Sequence, residues 1–103
     1  MNGMIDRYCF VRLAAEHATP EGRAEALAAM RGRLAGVPGL VRLTTGTPAD
    51  DSAARWDLSL VARFASLEAL AAAMASPAWT SSFDEWLPAR AVVIKSWSFA
   101  VDE

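Results

Sequence analysis

The sequence predicts an α+β domain in which a four-stranded antiparallel sheet carries helices on one face. Three observations predict it. Four segments alternate in hydropathy with a period of two, two regions repeat apolar residues every three or four positions, and their order is β–α–β–β–α–β. That order is the split βαβ, or ferredoxin-like, pattern. The 103 residues fit one domain, taken as 1–103. Hydrophobic residues make up 53% of the chain, but many are alanine, so the larger side chains must do most of the packing.

Each element has its own signal. Tyr8-Cys9-Phe10-Val11-Arg12-Leu13 is rich in β-branched and aromatic residues and reads as a strand. Cys9, Val11 and Leu13 form one row, and Tyr8, Phe10 and Arg12 the other. Thr19-Pro20-Glu21 starts a helix, with threonine as N-cap and proline at the first helical position. Leu27, Met30 and Leu34 give that helix its apolar stripe, Gly36 offers a C-cap, and Pro38 prevents continuation.

Gly39 to Thr45 reads as a second strand and Gly46 to Ala54 as a polar loop. Trp56 to Phe64 is the third strand. Trp56, Leu58, Leu60, Ala62 and Phe64 are predicted on one face, and Asp57, Ser59, Val61 and Arg63 on the other. Ser66 caps a second helix with Leu67, Leu70 and Met74 on one side. Ser76-Pro77 interrupts it and opens a short helical segment with Trp79, Phe83, Trp86 and Leu87, ended by Pro88. Ala91 to Val101 is the last strand, where Val93, Lys95, Trp97, Phe99 and Val101 alternate with Val92, Ile94, Ser96, Ser98 and Ala100.

Two right-handed βαβ units put both helices on one side of the sheet. The opposite face then shows Val93, Trp97 and Phe99, too apolar a row to leave in water. A second copy of the same sheet is the expected cover, which makes the chain a homodimer. Candidate interface residues are Tyr8, Phe10 and Arg12 of the first strand, Val61 and Arg63 of the third, and Val93, Lys95, Trp97 and Phe99 of the last.

The ordered set of segments resembles a known family, the stress-responsive A/B barrel domain (Dabb) proteins, from Tyr8 to Val101. The resemblance is carried by the opening strand, by Val37-Pro38-Gly39-Leu40-Val41, and by Trp56-Asp57-Leu58-Ser59-Leu60-Val61-Ala62-Arg63-Phe64. Ser66-Leu67-Glu68-Ala69-Leu70, Ser76-Pro77-Ala78-Trp79 and Val92-Val93-Ile94 complete it. It implies a dimeric α/β barrel, and most members have no assigned activity. A plant member cyclises a polyketide with a histidine near the first strand and an HPxH segment. This chain has Arg7 at the first place and Ser76-Pro77-Ala78-Trp79 at the second, so that acid–base machinery does not carry over.

Charge and motifs exclude more than they identify. The net charge of −2 and the scattered basic residues disfavour a nucleic-acid role. No long apolar run suggests a membrane span or a signal peptide, and a single cysteine fits a reducing compartment; the expectation is cytoplasmic. No nucleotide-binding, hydrolase, zinc or calcium motif occurs, and no metal or cofactor is expected.

His17 is the only histidine, and the simpler reading makes it an exposed turn residue. Cys9 reads as a buried structural thiol. Arg12, Arg63 and Lys95 are expected near the rim as inter-subunit salt bridges, with Asp57 available to one of them. Trp79, Phe83 and Trp86, at helical spacing, are expected to line a pocket between helices and sheet with Val11, Leu60 and Met30. Arg7 would be the polar anchor at its mouth, beside Cys9. The leading functional expectation is a dimer that binds a small apolar or aromatic metabolite there. A cofactor-independent lyase, isomerase or monooxygenase is the enzymatic alternative, and a structural or interaction role in stress response is what the resemblance also permits.

Overall fold

Residues 3–102 are described by a computed structural model, whose sheet is built outward from the first strand, β1 (Ile5–Leu13). On one side β1 pairs with β3 (Leu58–Phe64), which in turn pairs with the short edge strand β2 (Arg42–Gly46). On the other it pairs with β4 (Ala91–Ala100), giving the order β2-β3-β1-β4 with every neighbour antiparallel. Helix α1 (Pro20–Leu34) connects β1 to β2; α2 (Leu67–Met74) and α3 (Pro77–Thr80) connect β3 to β4. This is the predicted ferredoxin-like arrangement.

Local chemistry sets the helix boundaries. Thr19 Oγ1 accepts from the Gly22 N–H at 2.9 Å, and Ser66 Oγ from the Ala69 N–H at 3.0 Å. Each cap satisfies a first-turn donor and is worth about 1 kcal/mol. Ser76 Oγ accepts weakly from the Trp79 N–H at 3.4 Å, and Pro77 follows it at the first position of α3. Helix α1 stops at Leu34 without a left-handed cap; among the described residues positive φ falls at Gly39 (φ 79°), not at the Gly36 that the sequence suggested. The chain therefore turns at Gly39, and β2 starts at Arg42 rather than at Gly39.

Opposed residues of an antiparallel pair share a face. The inner face carries Cys9, Val11, Leu58, Leu60, Ala62 and Phe64, all buried against Ala26, Leu27, Met30 and Leu34 of α1, Leu70 and Ala73 of α2, and Trp79 and Leu87. Small alanines of α1 and α2 let the helices approach a sheet face lined by larger residues, and Phe64, Met30 and Leu58 lie fully inside. The outer face carries Tyr8, Phe10 and Arg12 beside Trp97, Lys95 and Val93; here Trp97 and Phe99 stay exposed, while Tyr8, Phe10 and Val93 are half-buried.

The alternation predicted for β3 fails at its start. Trp56 and Asp57 precede the strand, and their faces are the reverse of those expected. Trp56 packs in a tilted arrangement against outer-face Phe10 with centroids 5.8 Å apart. Asp57 is buried on the helix side, where Oδ2 accepts from the Leu13 N–H at 2.7 Å and Oδ1 meets the Arg23 guanidinium at 2.8 Å. Its partner is therefore Arg23, not Arg12, Arg63 or Lys95. A buried carboxylate is tolerable only where donors converge, and the end of β1 together with α1 supplies them.

Candidate functional site

The two sides of the α3 segment make different clefts, and the reason is a change of helical pitch. After Thr80 the helix widens into a π turn, Ser81–Trp86, in which the Leu87 N–H donates to the Ser82 carbonyl five residues back at 2.9 Å. Ser82 is buried, and its hydroxyl donates to the Ala78 carbonyl at 2.6 Å. A wider turn takes more residues per revolution. Trp86 consequently falls out of the stripe begun by Trp79 and Phe83.

Trp79 and Phe83 stack at 4.4 Å between centroids, and Trp79 also meets Phe64 edge-on at 6.1 Å. They wall a cleft of about 200 Å³ whose other sides come from Arg7 and Cys9 of β1, Met74 of α2, Asp84, and Ile94 and Ser96 of β4. An apolar slot thus ends in a polar mouth. Arg7 is held there by a 3.0 Å hydrogen bond from Nη1 to Ser98 Oγ, which leaves other guanidinium donors for a guest.

Cys9 is 2% exposed. Burial pushes its thiol pKa up; a hydrogen bond with Ser96 and the nearby Arg7 charge oppose that shift without reversing it. Cys9 is accordingly a wall of the cleft and a poor nucleophile.

The predicted pocket set therefore divides. Arg7, Cys9, Trp79 and Phe83 come together as one lining. Val11, Met30 and Leu60 do not reach it, because they are packed solid in the core. Trp86 belongs to a second cleft, of about 350 Å³, with Leu13, His17, Gly22, Glu25, Ala26, Ala29 and Arg90. Met74, Asp84, Ile94 and Ser96 were missed. Ile94 and Ser96 lie on the β4 row that pairs with Cys9 and Val11, so strand pairing holds the signal for them. Nothing in the sequence points to Asp84.

On the outer face, Tyr8, Phe10, Trp97 and Phe99 border a shallow hollow of about 500 Å³. Trp97 is 45% and Phe99 58% exposed. Tyr8 meets Phe99 edge-on at 5.6 Å, and Phe10 meets Trp97 at 5.8 Å. Arg63 does not wait for a second subunit: it grips Asp6 of the same chain through Nε at 2.8 Å and Nη2 at 2.9 Å. That pairing holds the Asp6 carboxyl below its ordinary pKa against the opposing effect of burial. Arg12 and Lys95 are exposed on the same face.

Among the described residues no three His, Cys, Asp or Glu side chains gather as a metal site, and no helix is long and apolar enough to cross a membrane.

Comparison with solved structures places the fold among ferredoxin-like proteins. A hydroxynitrile lyase from Passiflora edulis superposes with a TM-score of 0.80 at 16% identity, covering 100% of this chain and 97% of that one. A Dabb family protein from Mesorhizobium loti gives 0.76 at 16% identity, covering 98% and 99%. A dimeric ferredoxin-like protein of unknown function from Jannaschia sp. CCS1 gives 0.76 at 22% identity, covering 96% and 100%. No curated protein matches the sequence. The model of the stress responsive A/B barrel domain matches residues 5–98, nearly the whole chain, and the protein belongs to that family.

Proposed function

We propose that the protein is a homodimer, joined through the outer face of its sheet, in which each protomer binds a small apolar or aromatic molecule in the Trp79–Phe83 cleft. The observation that carries the binding reading is the convergence of an aromatic slot and a tethered cation, Arg7, on one 200 Å³ space. Small-ligand sites likewise combine apolar and aromatic walls with a few well-placed polar groups. A guest with a flat apolar body and one acceptor group fits it best. Dimerisation is supported by the exposed Trp97 and Phe99 and by relatives described as dimeric.

Native mass spectrometry on gently purified protein tests both halves. The expected spectrum is a dimer with extra mass from a retained small molecule, and Phe83→Trp, which fills the slot, removes that mass while leaving the dimer. A monomer defeats the first half. A dimer that stays bare against a panel of aromatic acids, alcohols and ketones defeats the second.

Asp84 favours a second reading. It is an exposed carboxylate at the same mouth as Arg7, giving a proton acceptor and a cation on one guest, as a cofactor-independent lyase or isomerase needs. Turnover of an aromatic cyanohydrin, abolished by Asp84→Asn with binding intact, would establish it; binding without turnover would leave the binding-protein reading in place.

A further inference from the structure

The second cleft is not an extension of the first. It opens on the other side of the π turn, between α1 and the 3-10 turn Ala15–His17 that follows β1. Its floor is apolar, made by the buried Leu13 and Ala26 and widened by Ala29. Gly22 makes the wall possible: a Cβ there would stand 2.0 Å from the His17 carbonyl oxygen, so the turn rests directly on the helix. His17 is half-buried in this wall rather than free in solvent.

The polar groups around that floor have opposite signs. Arg90 is fixed: Nη1 donates to the Trp86 carbonyl at 2.9 Å, and its guanidinium lies 3.9 Å from the centroid of the Trp86 ring. Arg33 of α1 approaches the same ring at 5.1 Å. One Arg90 hydrogen bond leaves four donors, in a fork suited to a carboxylate. Among the described residues Glu25, also lining the cleft, has no ion-pair or hydrogen-bond partner, and neither has the His17 imidazole. An oriented cation, an uncommitted carboxylate and an uncommitted imidazole therefore border one apolar floor.

We propose that this cleft binds a small zwitterion of the α-amino-acid type. Its carboxylate lies on Arg90 with His17 beside it, its ammonium on Glu25, and its apolar side chain on Leu13, Ala26 and Ala29. A simple anion would face Glu25 and a simple cation would face Arg90, so only a ligand with both charges gains at both ends. The site is independent of the Trp79–Phe83 cleft and stands or falls without it.

The test uses three probes of similar shape: L-phenylalanine, 3-phenylpropionate, which lacks the ammonium, and 2-phenylethylamine, which lacks the carboxylate. Binding is read from the indole N–H resonance of Trp86, assigned by its loss in Trp86→Phe. The expected result is a saturable shift with L-phenylalanine and at least about tenfold weaker binding of the other two, the scale of one charge-assisted hydrogen bond. Glu25→Gln should erase the advantage over 3-phenylpropionate alone, and Ala29→Leu, which fills the floor, should block all three. Equal binding of the three probes, no saturable shift, or indifference to Glu25→Gln would overturn the proposal. Because Glu25 is exposed, its substitution leaves the fold intact, and unchanged spectra elsewhere confirm this within the same experiment.

Discussion

The two faces of this sheet are built from similar residues and end in different states. On the inner face, large side chains from β1 and β3 meet alanine-rich helices and are fully buried; on the outer face, Tyr8 packs on Phe99 and Phe10 on Trp97, and they still leave an apolar hollow open. Ring–ring contact within one layer does not bury a face. Coverage needs a second layer, and the chain provides one only on the side to which its βαβ connections turn. The inner face is therefore covered by folding itself, and in the proposed dimer the outer one is covered only as concentration allows.

Phe64→Ala, at the centre of the inner layer, should cost about 3–5 kcal/mol by urea denaturation, whatever the protein concentration. A loss below about 1 kcal/mol would mean the layer can collapse around the void, contrary to the packing described. Trp97→Ala should behave oppositely. It should raise the dimer dissociation constant at least tenfold in sedimentation equilibrium, about the effect of losing an aromatic anchor. An unchanged association, or a stability loss equal at high and low concentration, would break the proposed role of the outer face.

The smallest effect belongs to the Asp6–Arg63 pair at the margin of the outer face. Its carboxyl is held below the ordinary value of 3.8, so the pair stabilises the folded state above that pH. That contribution is lost as pH falls through the lower folded value. Asp6→Asn should flatten the acid limb of a stability–pH profile below about pH 4. Coincident profiles for the two proteins would show the pair to be energetically idle.

The parts of this architecture that could be read from sequence are those in which one periodicity governs. From Leu58 to Phe64 the alternation is uninterrupted, and the strand lies as predicted. Two residues earlier the rule breaks, because Asp57 answers to Arg23 and to the Leu13 N–H rather than to the pleat. Long-range partners of this kind leave no mark on local spacing. The same holds for the candidate site. Trp79, Phe83 and Trp86 have the spacing of one helical stripe, and only the π turn sends Trp86 to the other side. Arg7 and Cys9 were legible because a strand fixes which neighbours share a face. Asp84 was not, since its position depends on that same irregular turn.

Cys9 has a practical consequence of another kind. The chain's one thiol sits at the middle of its central strand, shielded from reagents and held in its protonated form. Alkylation of the native protein is then slow, reaching the thiol through the Trp79–Phe83 cleft or when the sheet and helices part. The labelling rate under native conditions reports access to this thiol, and a molecule seated against Cys9 in that cleft would slow it without any added probe.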